Sequence, residues 1–255
     1  MCKIIVMANQ KGGVAKTSST RNLAYSLAEL GKKVLAVDFD PQTNLTISFG
    51  VAPAALQETA ASLMMKLVMD EVLPEKASYI LNIGKVDLLP SKKTLTVAEV
   101  NLLIEDDCLA KLLAPLRADY DYILVDTGPS LGSLTINAFT AADEIIIPVD
   151  PELFALVGLK ELTETISKIK QNLNPKVEII GILFTKCSKR TTLYRQTSEQ
   201  VRSVFGHLPI FESQIPATVQ VGTANSKGLS VMELDAKSPA AAAYMNLAKE
   251  VLAYA

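Results

Sequence analysis

A doubly wound, mostly parallel α/β sheet with helices on both faces is the fold class that this sequence predicts. Three observations carry the expectation. Short apolar runs, several of them β-branched, recur at residues 3–8, 33–39, 86–89, 122–126, 144–149 and 177–185, each the length of a buried strand. Stretches of helical spacing separate most of them, and strands alternating with helices argue for parallel crossovers. Three of the strands end in residues suited to chemistry: a glycine turn, an Asp-x-Asp pair and a lone Asp. Open parallel sheets bind ligands at the carboxyl ends of their strands.

Composition bounds the answer. With 255 residues and 49% hydrophobic content, the chain can bury a sizeable core, expected as one domain over residues 1–255. Gly and Pro, 12 of each, are at ordinary levels, so disorder is not expected. A formal net charge of −2 excludes a global basic field for DNA or anionic lipid, so any nucleic-acid contact needs a local patch. Cys2, Cys108 and Cys187 are too far apart for a metal or disulfide pattern and fit a reducing cytoplasm. The first strand begins at once, which leaves no room for a leader peptide, and no apolar stretch approaches the ~18 residues of a membrane span.

The first strand runs into a tight turn, Gln10 to Thr17, after which Leu23, Ala24, Leu27, Ala28 and Leu30 repeat at helical spacing up to Gly31. Strand, glycine turn, Lys-Thr and helix make a phosphate cradle, because backbone N–H groups and the positive helix end converge on one point. Lys16 can reach β- and γ-phosphates, and the Thr17 hydroxyl can ligate Mg²⁺. A full G-x-x-x-x-G-K-[ST] loop would have Gly at positions 10 and 15, where this chain has Gln10 and Ala15. Gly12 and Gly13 supply the freedom instead, and Ala15 is small enough to be tolerated if its φ is negative. Gly-Gly alone would indicate an ordinary corner. Lys-Gly-Gly-x-x-Lys-Thr-Ser after a strand indicates nucleotide binding.

The second strand ends in Asp38-Phe39-Asp40, two carboxylates suited to Mg²⁺ and water handling beside a phosphate loop, although Asp-x-Asp by itself is a solvated turn. Residues 60–69 read as a helix whose methionines belong to the core. Residues 94–104 and 108–116 read as helices separated by Glu105-Asp106-Asp107, a solvated turn and helix start. The strand at 122–126 ends in Asp126, a carboxylate placed to hold Mg²⁺ opposite Thr17. After the strand at 144–149, a helix carries Leu156, Leu159, Leu162, Ile166, Ile169 and Leu173 on one face and stops at Asn174-Pro175. Lys186, Lys189, Arg190, Arg195 and Arg202 then form the one basic cluster, with Glu199 among them. It reads either as a salt-bridged solvent face or as a DNA-phosphate contact. The single histidine, His207, reads as a loop residue before a short strand at 208–211, and Pro239 opens a last helix with a Tyr244, Leu247, Ala248, Val251 stripe.

Lys11-Gly12-Gly13-Val14-Ala15-Lys16-Thr17 resembles the deviant Walker A motif of the ParA/MinD ATPases, a group of P-loop NTPases. Val37-Asp38-Phe39-Asp40-Pro41-Gln42-Thr43-Asn44 resembles the family's V-D-x-D-P-Q-G-N segment, with Thr43 for Gly. Asp126-Thr127-Gly128-Pro129-Ser130 resembles its D-x-P-P-S switch, with Gly128 for the first Pro. The resemblance covers nearly the whole chain. It implies ATP bound by Lys11 through Ser18, with Lys11 reaching the phosphates of a partner in an ATP-sandwiched homodimer. It implies that Asp40 positions the attacking water, and that Asp38 supports a Mg²⁺ held by Thr17 and Asp126. Glu152 either faces the partner's nucleotide or simply favours a helix N-terminus. Pro216 is expected to line an adenine pocket, and Arg190 matches a family arginine implicated in non-specific DNA binding. Two further family arginines are replaced by Ala217 and Gln220.

The implied function is a slow, Mg²⁺-dependent partition ATPase. It would be cytoplasmic and nucleoid-associated, and stimulated by a ParB-like partner, with no membrane involvement. A MinD-like membrane regulator would need a basic amphipathic helix at the C-terminal end, where residues 249–255 carry one Lys. A protein-cargo relative is barely separable by sequence, and an iron–sulfur reductase would need paired cysteines.

Overall fold

The computed structural model describes residues 1–102, 105–152 and 155–254. Its seven strands are β1 (Lys3–Met7), β2 (Val34–Phe39), β3 (Leu81–Ile83), β4 (Val86–Leu89), β5 (Tyr122–Thr127), β6 (Glu144–Val149) and β7 (Glu178–Phe184). They form one sheet in the order β3-β4-β2-β5-β1-β6-β7, parallel throughout except for the short β3–β4 hairpin at one edge. The chain therefore leaves β1 for β2 and the β3–β4 edge, returns to insert β5 between β1 and β2, and then fills the other edge with β6 and β7. That reversal places the loop after β1 in a crevice at the carboxyl ends of the strands.

Strand periodicity sorts the core into two layers. Ile4, Val6 and Ala8 point to one face with Val37, Phe39, Ile123, Val125 and Ile147. There they meet α3 (Ala60–Val68), α4 (Leu95–Asn101), α5 (Cys108–Leu113), α6 (Ser133–Ala141), α7 (Ala155–Asn172) and α8 (Thr192–Phe205). Ile5 and Met7 point to the other face with Ala36, Leu124 and Ile146. This face is covered by α1 (Lys16–Glu29), α2 (Asn44–Ser48), α9 (Val219–Ser226), α10 (Val231–Asp235) and α11 (Pro239–Tyr254). The expected helices-on-both-faces architecture is the one observed.

Several boundaries differ from the expected ones, each for a local reason. The helix expected over 108–116 ends at Leu113 and continues as a 3₁₀ turn, Ala114–Ala118, because Pro115 brings no N–H and crowds the preceding turn. The helix expected over 94–104 is α4, and residues 103 and 104 lie outside the described residues, as does 255. The strand expected at 208–211 is one parallel bridge, Ile182 to Ile210, because Pro209 offers a carbonyl but no donor to β7. The helix expected over 60–69 is the core-facing α3, which stops at Val68, with Leu63 and Met64 fully buried and Met69 exposed. His207 lies on an exposed turn, as expected.

Candidate functional site

Register brings the motifs together. Asp126 on β5 lies opposite Met7 on β1 and opposite Asp38 on β2. The loop after β1, the Asp38–Asp40 segment and the switch segment after Asp126 therefore leave the sheet at one level. A cavity of about 660 Å³ opens above them, within the usual range for small-molecule sites. Gly12, Gly13, Ala15, Lys16, Thr17, Ser18, Asp40 and Pro216 line it.

The phosphate loop is held from outside its own segment. Asn9 donates from Nδ2 to the Pro148 carbonyl (2.7 Å) and accepts from the Lys11 N–H (2.9 Å), tying the end of β1 to that of β6. The Thr185 hydroxyl donates to the Val14 carbonyl (3.0 Å), and Val14 itself is buried beneath the loop rather than in the cavity. Helix α1 then begins with no side-chain cap and no acidic residue in its first turn. Its first N–H groups have no partner within the helix, and the positive helix end is open to an anion.

Lys16 is almost wholly buried, and its Nζ bridges the Asn9 and Lys11 carbonyls at 2.8 and 3.3 Å. Burial pulls its pKa down, with Asp126 and Asp40 opposing that pull. Asp126 is fully buried, and burial together with the adjacent Asp38 charge pushes its pKa up to about 8. The Thr20 hydroxyl donates to Asp126 Oδ1 at 3.3 Å, whereas Asp126 Oδ2 is buried with no hydrogen-bond partner. Such an orphaned oxygen beside Thr17 is what a divalent cation, or a water in its shell, would satisfy. The residues present therefore fit Mg²⁺.

Asp38 is occupied differently. Its Oδ2 accepts both the N–H (2.7 Å) and the hydroxyl (2.6 Å) of Thr46, and its Oδ1 accepts the Asp40 N–H at 3.3 Å. Burial raises its pKa to about 6 against these bonds. It does not line the cavity, and it acts by fixing α2 and the Asp40 backbone. Asp40 faces the cavity, with Oδ1 accepting the Gln42 N–H at 2.9 Å. A Cβ on Gly128 would stand 3.2 Å from that same oxygen, so the switch segment passes directly against Asp40.

Backbone strain gathers here. Four described non-glycine residues have positive φ: Ala15 (65°), Thr43 (58°), Asp70 (53°) and Lys186 (50°). Ala15 and Lys186 line the cavity, and Thr43 sits between two residues that do, Gln42 and Asn44. The condition of a negative φ at Ala15 is thus not met: the loop needs the left-handed turn, and Ala adopts it in place of a glycine. The left-handed conformation costs an L-residue about 1–2 kcal/mol, partly offset in a Gly variant by about 0.4–1 kcal/mol of extra unfolded-state freedom. Ala15→Gly and Thr43→Gly should each raise stability by about 0.5–1 kcal/mol, the larger gain falling to β-branched Thr43. Thermal unfolding of the two variants checks this, and a lowered midpoint in both would refute it.

Other expected site residues lie outside the cavity. Lys11 Nζ pairs with the Glu152 carboxylate of its own chain at the cavity rim. Lys189 and Arg190 are exposed on the β7–α8 loop, and Arg195 and Arg202 project from the outer face of α8. Among the described residues none of these four forms an ion pair within 4 Å, so the salt-bridged face with Glu199 is not formed. Arg202 instead lies over the Phe184 ring, 5.2 Å from its centroid. At the positions of the two missing arginines, Ala217 donates its N–H to the Cys187 carbonyl and Gln220 reaches Asp235 at 3.2 Å.

The sequence reading missed Asn9, Thr20, Lys186 and the α9 wall of the cavity, formed by Val221, Gly222 and Asn225. Thr20 could have been found as the residue one helical turn beyond Thr17. Asn9 has no local signal, because its bonds are set by β6.

The chain is similar to known proteins along its length. A protein-family model described as an AAA domain matches residues 2–179. The sporulation initiation inhibitor protein Soj of Bacillus subtilis is 38% identical over 256 residues, covering 99% of each chain. The chromosome partitioning protein ParA of Myxococcus xanthus is 36% identical over 253 residues, 98% of this chain and 88% of that protein. Among solved structures, cobyrinic acid a,c-diamide synthase from Mycobacterium smegmatis with bound ADP and magnesium superposes with a TM-score of 0.86 at 33% identity, covering 100% of this chain and 95% of that one.

Proposed function

Since the chain belongs to the ParA/Soj family of P-loop ATPases, we propose that residues 1–255 act as one ATPase unit that partitions DNA. It would do so as an ATP-sandwiched homodimer, bound to non-specific DNA and triggered by a ParB-like partner. The observation that carries the nucleotide reading is the uncapped α1 N-terminus with Lys16 at its base, beside the unpartnered Asp126 Oδ2. The names of the near-full-length relatives carry the partition reading. The synthase structure also holds ADP and magnesium, so nucleotide binding does not separate those two activities.

In this reading the N–H groups of α1 and the loop hold the phosphates. Thr17 and Asp126 would hold Mg²⁺, which when bound would supply neutralisation of phosphate charge. Asp40, anchored by the Gln42 N–H and pressed against Gly128, orients a water for in-line attack on the γ-phosphorus. Lys11 leaves Glu152 and stabilises charge in the partner's site. Little covalent work falls to the protein, so positioning governs the rate, and turnover stays slow until a partner completes the site. Pro216 and the α9 wall receive the base. No described helix is long and apolar enough to cross a membrane, and the proposed workplace is the nucleoid.

The test is binding to non-specific duplex DNA with ATP, with ADP and without nucleotide, at two salt concentrations. ATP-dependent, salt-sensitive binding is expected. Dimerisation with ATP but no DNA binding would refute the partition reading and leave the ATPase reading standing. In the same assay Arg190→Ala should weaken binding and lower the slope of log K against log salt by about 0.9. An unchanged slope would remove Arg190 from the DNA surface.

A further inference from the structure

Lys186 stands in a conformation that needs explaining. Its φ of 50° is left-handed, a strained state that persists only where neighbouring structure dictates it. Here both flanks are fixed. The Thr185 N–H donates to the Val149 carbonyl (2.9 Å) and the Thr185 hydroxyl to the Val14 carbonyl (3.0 Å). On the other side the Cys187 N–H donates to the Ile215 carbonyl (2.9 Å), and the Ala217 N–H to the Cys187 carbonyl (3.2 Å). The β7–α8 loop is thus fastened to the phosphate loop and to the segment carrying Pro216, and the turn at Lys186 aims its side chain back over the cavity it lines.

The amine arrives at the rim of the phosphate loop. Lys186 Nζ lies 4.0 Å from where a Cβ on Gly13 would sit and 3.3 Å from Asp150 Oδ2. Lys11 on the same rim is held in a parallel way by Glu152. Two carboxylates of the β6–α7 segment therefore hold two lysines that flank the Gly12-Gly13 turn. The Lys186 side chain is about half exposed, so its pair with Asp150 is of the weakly stabilising, solvent-screened kind. A phosphate bearing more charge can displace Asp150 at little cost. The direction of Lys16, whose Nζ reaches the Asn9 and Lys11 carbonyls, marks this side of the loop as that of the β- and γ-phosphates.

Resting on the nucleotide reading above, we propose that Lys186 is a further phosphate-binding residue, a cation that exchanges Asp150 for the terminal phosphates of a nucleoside triphosphate. It joins Lys11 and Lys16 from a third loop, and it favours the triphosphate over the diphosphate because it stands at the outer end of the cradle.

Dissociation constants of the full chain for fluorescent ATP and ADP analogues and for adenosine, with Mg²⁺ present, test this in the wild type and in Lys186→Gln, Lys186→Arg and Asp150→Asn. Lys186→Gln should weaken the ATP analogue about five- to thirtyfold, a ratio equivalent to about 1–2 kcal/mol, and the ADP analogue by less than threefold. Lys186→Arg should recover most of the loss. Asp150→Asn should bind ATP at least as well as wild type. Equal losses for ATP, ADP and adenosine would mean that the side chain packs on the base, and would overturn the proposal. So would an Asp150→Asn loss matching that of Lys186→Gln, which would make the tether merely structural. A wild type that binds neither nucleotide overturns both readings, whereas wild-type binding with an unmoved Lys186→Gln overturns this one alone.

Discussion

Lys16→Ala abolishes measurable ATP binding while leaving the chain folded. Among the described residues Lys16 is the one cation buried at the base of the cradle, and its Nζ is already directed across the loop by the Asn9 and Lys11 carbonyls. Removing one partner of a buried, hydrogen-bonded charge pair costs about 2–5 kcal/mol, or about thirty- to several-thousandfold in affinity. The fold tolerates the change because Lys16 stands at the first turn of α1, and the helix body is held by Leu23, Ala24 and Leu27 in the second core layer. Calorimetric titration of ATP into the variant, with thermal unfolding as the control for folding, reads both halves. A folded variant with wild-type affinity would remove residues 11–18 from nucleotide binding altogether.

How far the sequence could reach this site depends on where each signal resides. The strands were legible because burial on both faces of a parallel sheet demands unbroken apolar runs, and Lys3–Met7, Val34–Phe39 and Tyr122–Thr127 have that form. The charged residues that end them were legible because a carboxylate after such a run has no packing role. Helix α6 is not legible in the sequence, because Leu134, Asn137, Ala138 and Phe139 are all buried and no polar face marks its period. Helices α2 and α10, at five residues each, are too short to show a period at all. The edge strand β3 has three residues and exists only as the partner of β4.

Within the site, the legible parts were the residues whose chemistry is intrinsic, and the illegible parts were matters of conformation and partnership. Alanine avoids the left-handed region, so Ala15 fits without strain only at a negative φ. The closing of the phosphate loop onto α1 overrides that preference. Asp38 and Asp126 look alike in sequence as carboxylates ending β-branched strands. Thr46 satisfies one and leaves the other with a free oxygen, and that difference is set by a residue of α2 that no spacing rule connects to β2. In the sequence Lys186 belongs to a basic cluster, but its strained backbone separates it from Lys189 and Arg190 and turns it toward the cavity.

Asp40→Ala should separate binding from hydrolysis. Asp40 donates nothing to the phosphate cradle: its carboxylate is fixed by the Gln42 N–H on one side and by contact with Gly128 on the other, at the cavity wall facing Lys16. A side chain that orients or deprotonates the attacking water contributes about 10²–10⁴-fold to rate. The variant should therefore retain ATP affinity within a few-fold and lose at least about a hundredfold in turnover. Because the dimer in this reading dissolves only on hydrolysis, the variant should also remain dimeric with ATP over times in which the wild type returns to monomer. Light scattering after ATP addition, followed alongside phosphate release, reads both quantities. Unchanged turnover would take Asp40 out of catalysis and turn attention to Asp126, whose carboxylate stands beside Asp38 across the sheet. Lost turnover without a persistent dimer would keep Asp40 as the residue that sets up the water, and would break the link between hydrolysis and dissociation on which the partition cycle depends.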